Sequence, residues 1–237
     1  MARTASTYRP LIRQVAGAIV LNGTSQYVDL GSSGPLATVT GSFTLAAWFK
    51  RSNFTGVMAV VGDRGSGALQ HVQINYNSAY RNTSVVTTSG GGSAILPLQT
   101  NAVFAWEHAI IRYDTVNVTV FRYGQNYFQV ARTGTVTAPT GTMAIGSGNG
   151  GIRFWNSLIA ETKFWTRALS DDECADAYAG VNNAGIRSGL ASEWLLATDA
   201  NDTTGANNGT LVASPTFSAA DVPFSLRVAT TGRVATS

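Results

Sequence analysis

The sequence predicts an all-β protein, two antiparallel sheets packed face to face, with one short helix near residues 171–179. Three observations predict it. Many short segments alternate apolar and polar residues, the period of a half-buried strand, and Gly-, Asn-, Asp- and Ser-rich turns separate them. No stretch carries the spacing of a long amphipathic helix. The one helix start with full chemistry is Ser170 followed three residues on by Glu173, a capping box in which each side chain satisfies a backbone donor of the first turn. Gly180 is placed to close that helix.

Strands 18–21 and 26–30 flank Asn22-Gly23, a strong hairpin signal, so these two are expected to pair. The cleanest alternation is 43–50. There Phe43, Leu45, Ala47 and Phe49 share one face, expected in the core, and Thr44, Ala46, Trp48 and Lys50 share the other. Further strands are expected over 57–61, 70–76, 84–88, 94–98, 108–113, 118–123, 127–131, 143–145, 158–165, 193–196 and 210–212. The glycine-rich stretches 89–93 and 146–151 read as turns. The second follows a strand but opens no helix and lacks a following Lys-Ser/Thr, so it is no phosphate loop.

A chain of 237 residues can bury a full core as one domain. The expected organisation is an N-terminal arm over 1–14, a sandwich over 15–216 and a C-terminal arm over 217–237. Only 12% of residues are charged, and the net charge of +3 is carried by arginines spread along the chain rather than clustered, which excludes a nucleic-acid footprint. The single cysteine, Cys174, excludes an intrachain disulfide framework. The apolar run 15–21 is too short for a membrane span and does not read as a secretory signal. Both arms are rich in Ser, Thr, Ala and Arg, with Arg3, Arg9 and Arg13 in one and Arg227 and Arg233 in the other. Such composition is mobile in isolation, so the arms are expected to be held by a neighbouring subunit.

The order of residues from 145 to 173 is distinctive: Ile145-Gly146, a glycine-rich turn, Phe154-Trp155, the strand 158–165, then Arg167-Ala168-Leu169-Ser170-Asp171-Asp172-Glu173. It resembles the closing segment of laminin-G-like jelly rolls, relatives of the concanavalin A-like lectins and glucanases. Val20-Leu21-Asn22-Gly23 with Gln26-Tyr27-Val28 looks like the opening strand and turn of that family, and 43–50 like its phenylalanine-to-tryptophan strand. Trp106-Glu107-His108-Ala109 leading to Tyr113-Asp114, then 118–124, is similar to its central hairpin. The resemblance implies a two-sheet antiparallel jelly-roll sandwich, concanavalin A-like. One segment departs from the pattern: Trp194-Leu195-Leu196 through Leu211 looks like a strand and loop that precede the family's first hairpin, yet comes last. Jelly-roll termini lie close together, so 193–212 is expected to pair near the N-terminal strands.

The glucanase branch sets paired carboxylates on one strand, to flank a glycosidic bond from about 5 Å apart. Here the nearest equivalent, Glu161-Thr162-Lys163, puts a lysine where a carboxylate is needed, and Glu107, Glu173 and Glu193 stand alone in sequence. No enzymatic activity is expected. His71 and His108 fall in separate strands and read as strand residues with local partners, and Cys174 as a small buried helix residue. No cofactor is expected, with calcium the open alternative: Asp199, Asn201 and Asp202 could supply hard oxygen ligands, against an Asx-turn loop that braces its own backbone.

Carbohydrate binding, the commonest non-catalytic task that the resemblance implies, needs exposed rings on which the apolar face of a sugar can stack. Trp155, Tyr113 and Tyr123 are the candidates, with Arg112 and Arg122 as donors, while Trp48, Trp106 and Trp165 are assigned to packing. Trp155, beside Gly150-Gly151, leads because packing explains it least. Two readings follow. One is a non-catalytic subunit of a multi-subunit assembly, a phage virion component such as a capsid decoration, head fibre or tail-associated protein. It would be located in the virion and partnered by copies of itself or by capsid or tail protein. The other is an extracellular or virion-displayed glycan-binding adhesin. Neither nucleic acid nor membrane is an expected partner.

Overall fold

The computed structural model describes residues 16–52, 57–65, 71–77, 81–90, 92–97, 104–148 and 151–223. Fifteen strands and three short helices follow one another as β1 (Ala18–Asn22), β2 (Tyr27–Gly31), α1 (Pro35–Thr38), β3 (Phe43–Arg51), β4 (Val57–Asp63), β5 (Val72–Asn77), β6 (Arg81–Thr88), β7 (Gly92–Pro97), β8 (Trp106–Tyr113), β9 (Asn117–Arg122), β10 (Gln125–Ala131), β11 (Met143–Ile145), β12 (Asn156–Trp165), α2 (Asp171–Ala179), α3 (Ala184–Arg187), β13 (Leu190–Trp194), β14 (Thr210–Val212) and β15 (Thr216–Ser218) among the described residues. The first sheet runs β10-β9-β8-β3-β12-β1-β15, with β13 also on β12, and the second runs β14-β2-β11-β4-β5-β6-β7. All pairings are antiparallel, the two-sheet sandwich the sequence predicts.

The core lies between the sheets. Phe43, Leu45, Ala47 and Phe49 of β3 face it as expected, meeting Val28, Leu30, Val60, Ile74 and Ile145 of the second sheet. The opposite face of β3 was expected to be the outer one, and it too is buried: of its nine residues only Lys50 is partly exposed. Helix α2 is the reason. Its Cys174 and Ala177 pack with Ala46, Ile110, Phe121 and Trp165 into a second apolar cluster on the outside of the first sheet. The capping box at Ser170 and Glu173 is formed, and Gly180 closes the helix at φ 70°. Arg167 grips both oxygens of Glu173 at 2.7 Å, and Thr44 accepts the amide of Leu169 at 3.0 Å.

The expected first hairpin is absent. Strand β1 pairs with β12 and β15, and β2 with β11 and β14, so Asn22-Gly23 carries the chain from one sheet to the other. Asn22 Oδ1 accepts the backbone amides of Thr24, Ser25 and Gln26. That wide Asx turn separates the strands too far for a two-residue hairpin loop. The C-terminal segment returns as expected, since β14 lies beside β2, with Thr210 opposite Asp29. The chain also contributes beyond residue 216: β15 pairs with β1, and Asp221 accepts from Lys50 and from Trp106 Nε1 at 2.9 Å. Arg3, Arg9, Arg13, Arg227 and Arg233 lie outside the described residues.

Candidate functional site

Strands β9 and β10 close with Arg122 opposite Gln125, leaving Tyr123-Gly124 as a two-residue loop. Their φ values of 52° and 75° are both left-handed, as a type I′ turn requires. Glycine suits that geometry. A tyrosine does not, because the left-handed region crowds Cβ at a cost of about 1–2 kcal/mol, and Asn, Asp or Gly are the usual occupants. The glycine is needed for a further reason: a Cβ on Gly124 would lie 2.9 Å from Tyr178 Cβ and 3.0 Å from Ala175 Cα. The turn therefore rests directly on α2.

This contact builds a cleft. The Tyr123 and Tyr178 rings meet edge to face, 5.9 Å apart at 64°. The Arg122 guanidinium carbon lies 5.0 Å from the Tyr123 ring centre. With Gln125, Asn126 and the exposed Tyr127 they line an open cleft of about 660 Å³. That size suits a small ligand. Below it Tyr178 stacks on Trp48, 5.5 Å apart at 28°, and His108 sits 4.7 Å from the same indole. Burial lowers the pKa of His108 to about 3, with the positive Lys163 adding to the shift, so near neutral pH the imidazole is uncharged and serves as packing.

Lys163 lies between two nearly buried carboxylates, 3.2 Å from Glu161 and 3.6 Å from Glu193. The one ammonium is shared by both acids, and Arg187 adds a second positive charge 3.9 Å from Glu193. Lys163 thus stands between the two carboxylates, where the glucanase pattern has an acid and a nucleophile flanking a glycosidic bond.

The predicted binding residues separate. Trp155 is fully buried, edge-on to Phe49 at 5.5 Å, with its indole N–H near the Lys50 and Leu158 carbonyls at 3.2 and 3.3 Å. It cannot stack a ligand. Tyr113 is likewise buried, tilted against Phe43, with its hydroxyl donating to the Gly134 carbonyl. Arg112 holds the entry to α2, donating to Leu169 O at 2.8 Å and Asp171 at 2.7 Å. Only Tyr123 and Arg122 come together at the surface.

The calcium candidates brace a loop. Asp202 accepts the amides of Glu193, Thr204 and Asn207, and Asp199 caps Asn201. No group of three or more His, Cys, Asp or Glu side chains able to hold a metal occurs among the described residues. Burial raises the Cys174 pKa to about 12, which keeps it a thiol. Two further rings of the cleft, Tyr127 and Tyr178, were not among the expected residues. The usable signal was a tyrosine next to glycine at a hairpin tip, with a second tyrosine on the only helix of more than four residues among those described.

The family model described as the concanavalin A-like lectin/glucanases superfamily matches residues 22–175, more than half of the chain. The chain belongs to that superfamily. No curated protein matches the sequence. Among solved structures it is similar to a Bacteroides ovatus protein whose assignment as carbohydrate-binding is itself provisional, with TM-score 0.66, 19% identity, and coverage of 91% of this chain and 63% of that one. It thus spans less than two thirds of that protein. It is also similar to the heptameric SAP-like pentraxin of Limulus polyphemus, with TM-score 0.58, 11% identity, and coverage of 87% and 96%. A third similar structure is domain 4 of an extracellular arabinanase from Geobacillus stearothermophilus, in complex with arabinotriose, with TM-score 0.54, 17% identity, and coverage of 73% and 81%. At these identities the likeness shows the fold.

Proposed function

We propose that the chain is a non-catalytic carbohydrate-binding module, with a sugar seated against Tyr123, Tyr127 and Tyr178 and oriented by Gln125, Asn126 and Arg122. One observation carries the reading: a tyrosine sits at φ 52° on a hairpin tip, where Gly, Asn or Asp suits the turn better, and its ring forms one wall of an aromatic cleft. Phenol rings stack on the apolar face of a sugar, and the amides and guanidinium supply hydroxyl partners. The names of two relatives, one provisionally carbohydrate-binding and one solved with arabinotriose, support the same reading. The lysine-clamped Glu161 and Glu193 support binding without cleavage.

A glycan binder acts where glycans are displayed, so the reading brings an extracellular or surface location with it. The virion reading has less behind it. None of the relatives named above is a virion protein, and 1–14 and 224–237, which make up most of the arms on which it relied, lie outside the described residues.

The test is Tyr123→Asn, which removes the ring and suits the turn. A panel of oligosaccharides followed by calorimetry should find a ligand for the unaltered protein. The variant should keep or raise its melting temperature while losing about tenfold or more in affinity, equivalent to about 1.4 kcal/mol. Failure of every oligosaccharide to bind the folded protein, or unchanged affinity in the variant, would overturn the proposal.

A further inference from the structure

We infer that the cleft selects an acidic sugar, one bearing a carboxylate or sulfate that pairs with Arg122. The inference rests on the carbohydrate reading above and deepens it. Its starting point is how the cations of the first sheet and its helices are matched. Lys50 meets Asp221, Arg51 meets Glu107, Arg112 meets Asp171, Lys163 meets Glu161, Arg167 meets Glu173 and Arg187 meets Glu193. Arg122 has no such match. Its side chain forms no ion pair and no hydrogen bond with another described residue, and its Nε is buried without an acceptor.

The same side chain lines the cleft, and none of the other five lining residues is acidic. Its guanidinium lies beside the Tyr123 ring, a cation–π contact that restrains its position but satisfies none of its donors. A guanidinium presents its donors as a planar fork, and a carboxylate or sulfate accepts two parallel N–H···O bonds from it. A hydroxyl of a neutral sugar makes a weaker, single contact. The tyrosines therefore serve the apolar face of the sugar, and Arg122 reads the acidic substituent at its edge.

The geometry also locates the selection. Arg122 and Gln125 are cross-strand partners at the hairpin neck, so charge and amide recognition fall side by side under the Tyr123 tip. Arg122 is the last residue of β9, a regular strand, and the fork is thus held by the sheet rather than by a loop.

The experiment is calorimetry on the full chain with three tetrasaccharides of comparable length: an oligogalacturonate, a sulfated galactan fragment and a neutral galacto-oligosaccharide. The expected result is at least one acidic probe binding about tenfold or more tightly than the neutral one, with the advantage shrinking between 50 and 500 mM salt as screening sets in. The carboxylate and sulfate arms distinguish the two anionic groups. Arg122→Gln, with its fold checked by melting temperature, should bring the acidic-to-neutral affinity ratio close to one, and Arg122→Lys should restore part of it. Equal binding of acidic and neutral probes, or a preference that survives Arg122→Gln, overturns this inference and leaves the carbohydrate reading standing. Binding of none of the three, together with an empty wider panel, overturns both.

Discussion

Trp155 and Tyr123 are both aromatic residues close to a glycine-rich or glycine-containing bend, and they come to opposite ends. The residues on either side of the glycine-rich turn ahead of Trp155 are bonded to one another. The Trp155 amide bonds to Gly146 O at 2.9 Å and the Ala59 amide to Arg153 O at 3.2 Å, which ties the loop to the second sheet. That closure turns the indole into the core, where two carbonyls lie near its N–H. The bend at Tyr123 rests on α2, and its ring lines the open cleft at the surface. Residue type and a neighbouring glycine do not decide exposure. The direction of the next strand does.

The largest effect that sharpens this contrast belongs to Trp155→Ala. Removing the largest side chain at this junction leaves a cavity against Phe49 and costs roughly 3–5 kcal/mol. Urea denaturation should show that loss, while sugar affinity per folded molecule stays as in the unaltered protein. A Trp155→Ala protein that kept its stability and lost its ligand would break the comparison.

The next effect comes from pH. The core around Trp155 is apolar, whereas the cleft floor contains His108 beneath Tyr178, 5.5 Å ring to ring. Its folded pKa of about 3 lies below the ordinary 6.5, so His108 stabilises the fold fully above pH 6.5 and loses that contribution as pH falls toward 3. Each pH unit in that window is worth up to 1.36 kcal/mol, so of order 2 kcal/mol should be lost between pH 6.5 and 4.5. The Glu173, Asp114 and Asp221 carboxyls are held below their ordinary values and act at lower pH. Denaturation midpoints across this window should decline for the unaltered protein and flatten for His108→Phe. A flat profile in the unaltered protein would show that His108 does not desolvate as described.

Much of this fold was legible because period two is a local signal. The inward set Phe43, Leu45, Ala47 and Phe49 could be named from spacing alone, and so could the α2 start, because Ser170 and Glu173 satisfy each other within one turn. What could not be read was set by contacts distant in sequence. The Asn22-Gly23 link looked like a hairpin because its own residues favour one, yet β1 finds β12, more than a hundred residues away. What covers the outer face of β3 could not be named, because nothing in 43–50 announces that α2 will lie there. At the cleft the sequence supplied Arg122 and Tyr123 but not Tyr178, which reaches them only because Gly124 lets a hairpin and a helix touch.

That touch gives the smallest effect on stability and the most specific one on function. Alanine at position 124 must adopt φ 75° and place a methyl group 3.0 Å from the Ala175 backbone, which cannot move without shifting α2. The cost is about 1–3 kcal/mol by overpacking and strain together, and most of it can be relieved if the hairpin tip swings off the helix. Relief by that route separates Tyr123 from Tyr178 and opens the cleft, so Gly124→Ala should remain folded and bind sugar poorly, with a changed tyrosine signal in near-ultraviolet circular dichroism. Trp155 offers no such route, since its loop is tied down at both ends. A Gly124→Ala protein with full affinity would mean that the two tyrosines act independently, and that the helix is not a wall of the site.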